Sequence, residues 1–203
     1  MEVILELDKN ILVFLNNLGS PSWDGFWLVI THKLTFTPLY FFLLYLLYRK
    51  LGLKSFLILL VLVLFMVLFT DQVTNLFKAG FQRFRPCRDT AVADLLRRVT
   101  IDCNPSNYFC PGYCGKFGFF SGHASNSMAT AIFVGLLLRP YYKNLIFVLV
   151  LWSLTVAYSR IYVGVHYPLD IFFGLLFGIF SGLLFKNIYN KLLKFFTTNN
   201  KPS

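Results

Sequence analysis

Charge is the scarcest commodity in this chain: only 14% of its 203 residues are Asp, Glu, Lys or Arg, against 57% hydrophobic residues and a mean hydropathy of +0.63. That balance argues against a soluble globular domain and for an integral membrane protein. No segment alternates polar and apolar residues with period two, which argues against barrel strands. There is no internal repeat, low-complexity tract or inter-domain linker, so residues 1–203 read as one membrane-embedded domain. The N-terminus lacks the basic start of a cleaved signal peptide.

What is present instead is a series of greasy runs. With flanking residues they give spans at about 25–48, 55–77, 120–138, 144–162 and 168–188, since a hydrocarbon core of ~30 Å needs about 20 helical residues. Backbone groups in lipid must satisfy one another, so the spans are expected to be helices. In the first segment Ile4, Leu5, Leu7, Ile11, Leu12 and Leu15 recur at helical spacing among Glu2, Glu6, Asp8 and Lys9, the pattern of an amphipathic helix on a membrane surface. The expected fold is an all-α polytopic transmembrane bundle of about five spans plus this N-terminal helix, six helices in total.

Acid is also absent from one whole side of the bundle. All nine acidic residues fall in the N-terminal segment, the 78–120 connection or the helix ends adjoining it. The opposite side holds Arg49, Lys50 and Lys54, then Arg139 and Lys143, then Lys186, Lys191, Lys194 and Lys201. Acid-free basic loops are the cytoplasmic ones by the positive-inside tendency, so the 87–120 loop faces outward and the C-terminus inward. Topology and an anionic bilayer account for much of the net charge of +10, with no need of nucleic acid. A second basic set on the outward side, including Lys78, Arg85 and Arg160, is left unexplained by topology.

Cys87, Cys103, Cys110 and Cys114 all lie in the outward loop. An even number outside the cytoplasm favours disulfides; a zinc site would be expected to show close paired knuckles. Of the three possible connectivities, the nested one, Cys87 with Cys114 and Cys103 with Cys110, is expected.

Three polar clusters mark outward helix ends. Lys78 and Arg85, followed by Pro86, lie seven residues apart and share a helix face, able to grip one anion. Ser121, Gly122 and His123 precede the third span; a serine N-cap and the free N–H groups of a first turn form an anion site. Ser159, Arg160, His166 and Asp170 close the set. Pro168 suits the first helical position, which puts Asp170 in the first turn, within reach of His166 Nδ1 and leaving Nε2 nucleophilic. Taken singly, each cluster also reads as snorkelling, capping or a structural ion pair.

In order, K-x6-R-P, S-G-H and S-R-x5-H-x3-D resemble the type 2 phosphatidic acid phosphatase superfamily of membrane lipid phosphatases. One departure is Phe120, where the family usually has proline. The resemblance implies His166 as the nucleophile that becomes phosphohistidine, Asp170 as its orienting group and His123 as the general acid. It implies Lys78, Arg85, Ser121, Gly122 and Arg160 as the phosphate cradle. Such a set can neutralise a phosphoryl transition state without a metal, and no carboxylate or Cys/His cluster suggests magnesium or zinc, so no cofactor is expected. The expected activity is hydrolysis of a lipid phosphate or diphosphate: undecaprenyl diphosphate, lipid A phosphate, phosphatidylglycerol phosphate or phosphatidic acid. A phosphotransferase and a non-catalytic lipid-phosphate binder or transporter are the alternatives. Arg83, Arg88, Arg97, Arg98 and Lys116 read as solvated loop charges in preference to a site for an anionic headgroup. His32 and Lys33, in the outward half of the first span, read equally as functional intramembrane groups or as snorkelling residues.

Overall fold

The computed structural model describes residues 2–97, 99 and 114–198. Among these described residues six α-helices follow one another: α1 (Glu2–Asn17), α2 (Pro21–Thr31), α3 (Thr37–Phe81), α4 (Gly122–Leu138), α5 (Leu145–Tyr162) and α6 (Pro168–Thr198). α3, α5 and α6 are each long and apolar enough to cross a membrane. Large apolar side chains such as Phe41, Phe65, Phe147, Leu151 and Phe180 point outward, as they do where lipid rather than water surrounds the bundle. The chain is an integral membrane protein with an all-helical fold.

α3 contains the second expected span and the later part of the first. Its helical geometry is interrupted at Gly52 (φ 75°, ψ 163°), a backbone region that a side chain disfavours, in the basic loop expected between spans one and two. The first span departs from expectation. Residues 25–48 do not form one helix: α2 is only 11 residues long and ends at Thr31, and a turn over 32–36 precedes α3. Pro38 stands in the first turn of α3, where its missing N–H has no intrahelical partner to lose, and the Thr35 hydroxyl donates to the Val29 carbonyl at 2.5 Å, closing the turn before it.

α4 packs against α6, α5 and α3, and its apolar residues dominate the main core with Leu47, Leu59, Met66 and Leu149. Its closest partner is α6, which carries Gly174, Gly178 and Gly182 on one face. A Cβ at these positions would stand 2.7, 2.6 and 2.8 Å from the carbonyl oxygens of Ser121, Ser125 and Ala129. Small residues four apart let helix backbones approach in this way, and the approach fixes the start of α4 beside the start of α6.

α1 is amphipathic as expected, with an unexpected inner face. It buries Asp8, Leu12 and Asn16, spaced by four, and turns Val3, Ile4, Leu7, Ile11 and Phe14 outward. Asn16 donates to the Tyr162 carbonyl at 2.7 Å and accepts from the Arg97 N–H at 2.7 Å, which anchors the helix to α5 and to the long connection.

That connection is closed at its base. Arg85 N–H donates to Lys116 O at 3.2 Å and Gly118 N–H to Arg83 O at 2.9 Å, around an antiparallel bridge between Phe84 and Phe117. Next to it Cys87 and Cys114 are disulfide-bonded, with Cα atoms 6.4 Å apart, the first of the two expected pairs. The second, Cys103 with Cys110, lies outside the described residues, as does Arg98.

Candidate active site

The three polar clusters converge because four helix ends meet on one side of the bundle. α3 brings Lys78 but ends at Phe81, with Gln82 in the left-handed region. Arg85 therefore does not share a helix face with Lys78 as the seven-residue spacing predicts, and comes from the extended chain beyond. α4 begins with Gly122 and His123, and α5 ends with Arg160. His166 stands between α5 and α6. These six residues line a single cavity of about 540 Å³. A Cβ on Gly122 would lie 3.8 Å from Lys78 Nζ, so the lysine reaches the α4 N-terminus.

The turn carrying His166 is built by Gly164, whose φ is 70°. Val165 N–H donates to Arg160 O at 3.0 Å and Gly164 N–H to Ile161 O at 2.9 Å, the paired bonds of a Schellman cap in which glycine tolerates the left-handed backbone. Helix α5 is thereby stopped within a turn of Arg160, and the chain folds back to set His166 against the first turn of α6.

Asp170 sits where the spacing puts it. Its Oδ2 is 3.2 Å from His166 Nδ1 and accepts the Tyr167 N–H at 3.1 Å. An Nδ1–H donated to this carboxylate leaves Nε2 with its lone pair. Burial, followed by the fields of Arg85, Arg160, Lys78 and Arg83, pushes the His166 imidazole well below its ordinary pKa of 6.5, favouring the neutral form.

Asp170 and Ser121 stand behind the cavity wall. Ser121 is fully buried; its Oγ accepts the Ala124 N–H at 3.5 Å as the N-cap of α4. Ser121 therefore shapes the anion site by holding the helix start. Arg85 Nε donates to Phe117 O at 3.0 Å, and Arg160 bonds the Thr31 hydroxyl, so both guanidinium groups are held by fixed structure. Phe120, in place of the family's usual proline, is buried and packs against Phe77 and Phe177.

Several neighbours of the candidate site were not expected. Arg83, read as a solvated charge, bridges two carboxylates: Nη1 meets Asp170 Oδ1 at 3.0 Å and Nη2 meets Asp8 Oδ2 at 2.6 Å, while its guanidinium lies 4.0 Å over the Tyr167 ring. Asp8 Oδ1 also accepts the Leu169 N–H at 2.8 Å. The N-terminal helix thus supports the His–Asp pair from behind. Arg97 is likewise paired, bidentate to Asp24 at 2.9 and 2.7 Å. Gly118 passes so close that a Cβ there would lie 2.8 Å from Asp170 Oδ2. Its place in a G-K-F-G-F-F run before Ser121 was the only hint in the sequence. The break after α2 sets His32 and Lys33 in the cavity wall, rather than within a continuous span.

Histidine backed by a carboxylate, a second histidine, three cations and a helix N-terminus around one cavity can bind a phosphoryl group and transfer it. The family profile described as PAP2 superfamily matches residues 57–194, and the chain belongs to that superfamily. A lipid A 4'-phosphatase of Bacteroides thetaiotaomicron is 35% identical over 195 residues, covering 95% of this chain and 81% of that protein. A lipid A 4'-phosphatase of Porphyromonas gingivalis is 34% identical over 193 residues, covering 93% and 75%. Two crystal structures share the fold. One is a PAP2-type phosphatidylglycerolphosphate phosphatase of Bacillus subtilis (TM-score 0.69, 18% identity, 94% of this chain and 88% of that one). The other is LpxE of Aquifex aeolicus (TM-score 0.62, 22% identity, 87% and 92%). The protein is an enzyme, a membrane lipid phosphatase.

Proposed function

We propose that this chain, acting as one domain, removes a phosphate from lipid A without a metal, through a phosphohistidine on His166. The observation that carries the mechanism is the His166–Asp170 contact, 3.2 Å at Nδ1, at a cavity lined by Lys78, Arg85 and Arg160. Support for the substrate comes from the two relatives named lipid A 4'-phosphatase, each matching more than nine-tenths of this chain.

His166 Nε2 attacks phosphorus in line, forming a P–N bond as the bond to the lipid oxygen breaks. His123 gives its proton to that oxygen, so the lipid leaves as an alcohol. Lys78, Arg85, Arg160 and the N-terminal N–H groups of α4 offset the charge on the equatorial oxygens. Water, deprotonated by His123, then attacks the phosphohistidine, and the P–N bond breaks to release inorganic phosphate. The acid-free basic loops support a cytoplasmic C-terminus, with the cavity at the outer face of a bacterial inner membrane.

The test is phosphate release by purified protein in detergent from lipid A, phosphatidylglycerol phosphate, phosphatidic acid and undecaprenyl diphosphate, each with and without EDTA. Lipid A should be cleaved fastest, and EDTA should leave the rate unchanged. Acid-labile, base-stable radiolabel should be trapped on wild type and not on His166→Ala. Faster cleavage of another lipid would overturn the substrate, loss of activity with EDTA the metal independence, and labelling of His166→Ala the nucleophile.

A further inference from the structure

The cavity has a second polar wall that phosphate chemistry does not use. Asp71, Asn75 and Lys78 occupy positions i, i+4 and i+7 of α3 and so share one helix face; all three line the cavity, and Asn126 of α4 joins them. Asn126 Nδ2 donates to Asp71 Oδ1 at 2.7 Å, and Asn126 Oδ1 bonds the buried Thr70 hydroxyl, which fixes the amide's orientation. Among the described residues no ion pair joins Asp71 to Lys78. Yet both groups border Gly122: from the position of a Cβ there, Lys78 Nζ is 3.8 Å and Asp71 Oδ1 4.0 Å away. The carboxylate is thus held beside the phosphate site by an amide, with the lysine left to the anion.

A carboxylate so near a phosphate repels it, unless it faces an uncharged part of the same ligand. Ionised Asp accepts hydrogen bonds only, while Asn both donates and accepts; neighbouring hydroxyl groups on a carbon ring or chain suit both. A second phosphate at this wall would meet the carboxylate and be disfavoured.

We propose that Asp71, Asn75 and Asn126 form a hydroxyl-binding subsite that selects lipids whose phosphate monoester is borne on a sugar or another hydroxylated headgroup. This rests on the lipid A reading for the sugar itself, and on the cavity wall for the hydroxyl chemistry.

The experiment measures kcat/KM for lipid A and for phosphatidic acid, which has no headgroup hydroxyl, in wild type, Asp71→Ala, Asp71→Asn and Asn75→Ala. The expected result is a fall of at least tenfold in the lipid A to phosphatidic acid ratio for Asp71→Ala, with a smaller fall for Asp71→Asn and Asn75→Ala. Phosphatidylglycerol phosphate, with a free glycerol hydroxyl, is assayed in parallel. If wild type does not cleave lipid A, the sugar reading fails, and the subsite is judged on the ratio of phosphatidylglycerol phosphate to phosphatidic acid, where at least a threefold fall is expected. A ratio within twofold of wild type in every variant overturns the subsite, whether both activities fall together, as they would if Asp71 only positions Lys78, or neither changes.

Discussion

Gly118→Ala is the most direct test of how the His–Asp pair is held. The added Cβ would stand 2.8 Å from Asp170 Oδ2, 3.3 Å from Arg85 Cγ and 3.6 Å from His166 Nδ1, where ordinary contact begins at 3.4 Å. Something must therefore move by about 0.6 Å, the difference between 3.4 and 2.8 Å. The glycine's own segment resists, because Gly118 N–H is bonded to Arg83 O and Arg85 N–H to Lys116 O. Asp170 is held from behind by Arg83 and the Tyr167 N–H. Its contact with His166 is already 3.2 Å, and a shift of that size takes it out of hydrogen-bond range. A misplacement approaching 1 Å costs roughly 100-fold in rate, or about 2.7 kcal/mol of barrier. Gly118→Ala should therefore lower kcat about 100-fold in a phosphate-release assay, with thermal stability reduced far less. Gly80→Ala is the matched control, since nothing lies within 4 Å of its Cβ; helix propensity favours it by about 1 kcal/mol and activity should be unchanged. A Gly118→Ala enzyme within threefold of wild type would refute the claim that the close approach fixes the catalytic pair.

His123→Ala should lose ~100- to 10,000-fold on a lipid monophosphate, the usual contribution of a general acid, and much less on p-nitrophenyl phosphate, whose leaving group needs no proton; equal losses would remove His123 from that role. Asp8→Asn leaves Arg83 beside Asp170 without its second carboxylate, and breaking a buried pair costs about 3–5 kcal/mol. Melting should show this directly, and a double-mutant cycle with Arg83→Met should be clearly non-additive. Gly178→Val should unfold the bundle or prevent its insertion, because its Cβ would meet Ser125 O at 2.6 Å and Met128 Cβ at 2.7 Å; a normally melting variant would contradict the packing of α4 on α6. The His166 pKa lies below its ordinary 6.5 and the nucleophile must be neutral, so activity assigned to this group should be retained down to pH 6.5 and be lost only as pH falls further. An acid limb of kcat/KM with its midpoint above pH 6.5 would contradict the burial effect.

The candidate catalytic motifs were legible where they are local. Ser121 to His123, and His166 with Asp170, each lie at a single helix start, where spacing sets the side chains' relation. Lys78 and Arg85 do not, because α3 ends at Phe81, and Arg160 belongs to the end of a different helix from Asp170. The hydrophobic runs likewise specify helices, since lipid leaves the backbone no other partner. The break at 32–36 was less legible, because apolar composition hides a turn that is closed by one threonine hydroxyl. The residues around the motifs were hidden for a different reason. Asp8 meets Arg83 across 75 positions of chain, and nothing in a surface-helix pattern says that the polar stripe faces inward. Gly118 matters only because the closed base of the connection carries it past Asp170. The stripe of Gly174, Gly178 and Gly182 could be seen in the sequence, but its partner could not, because any helix with room for close approach would satisfy it. Spacing at a helix start determined the Ser121–His123 and His166–Asp170 groupings. Only the tertiary structure decided which distant carboxylates, glycines and amides surround them, because those contacts depend on how separate helices meet.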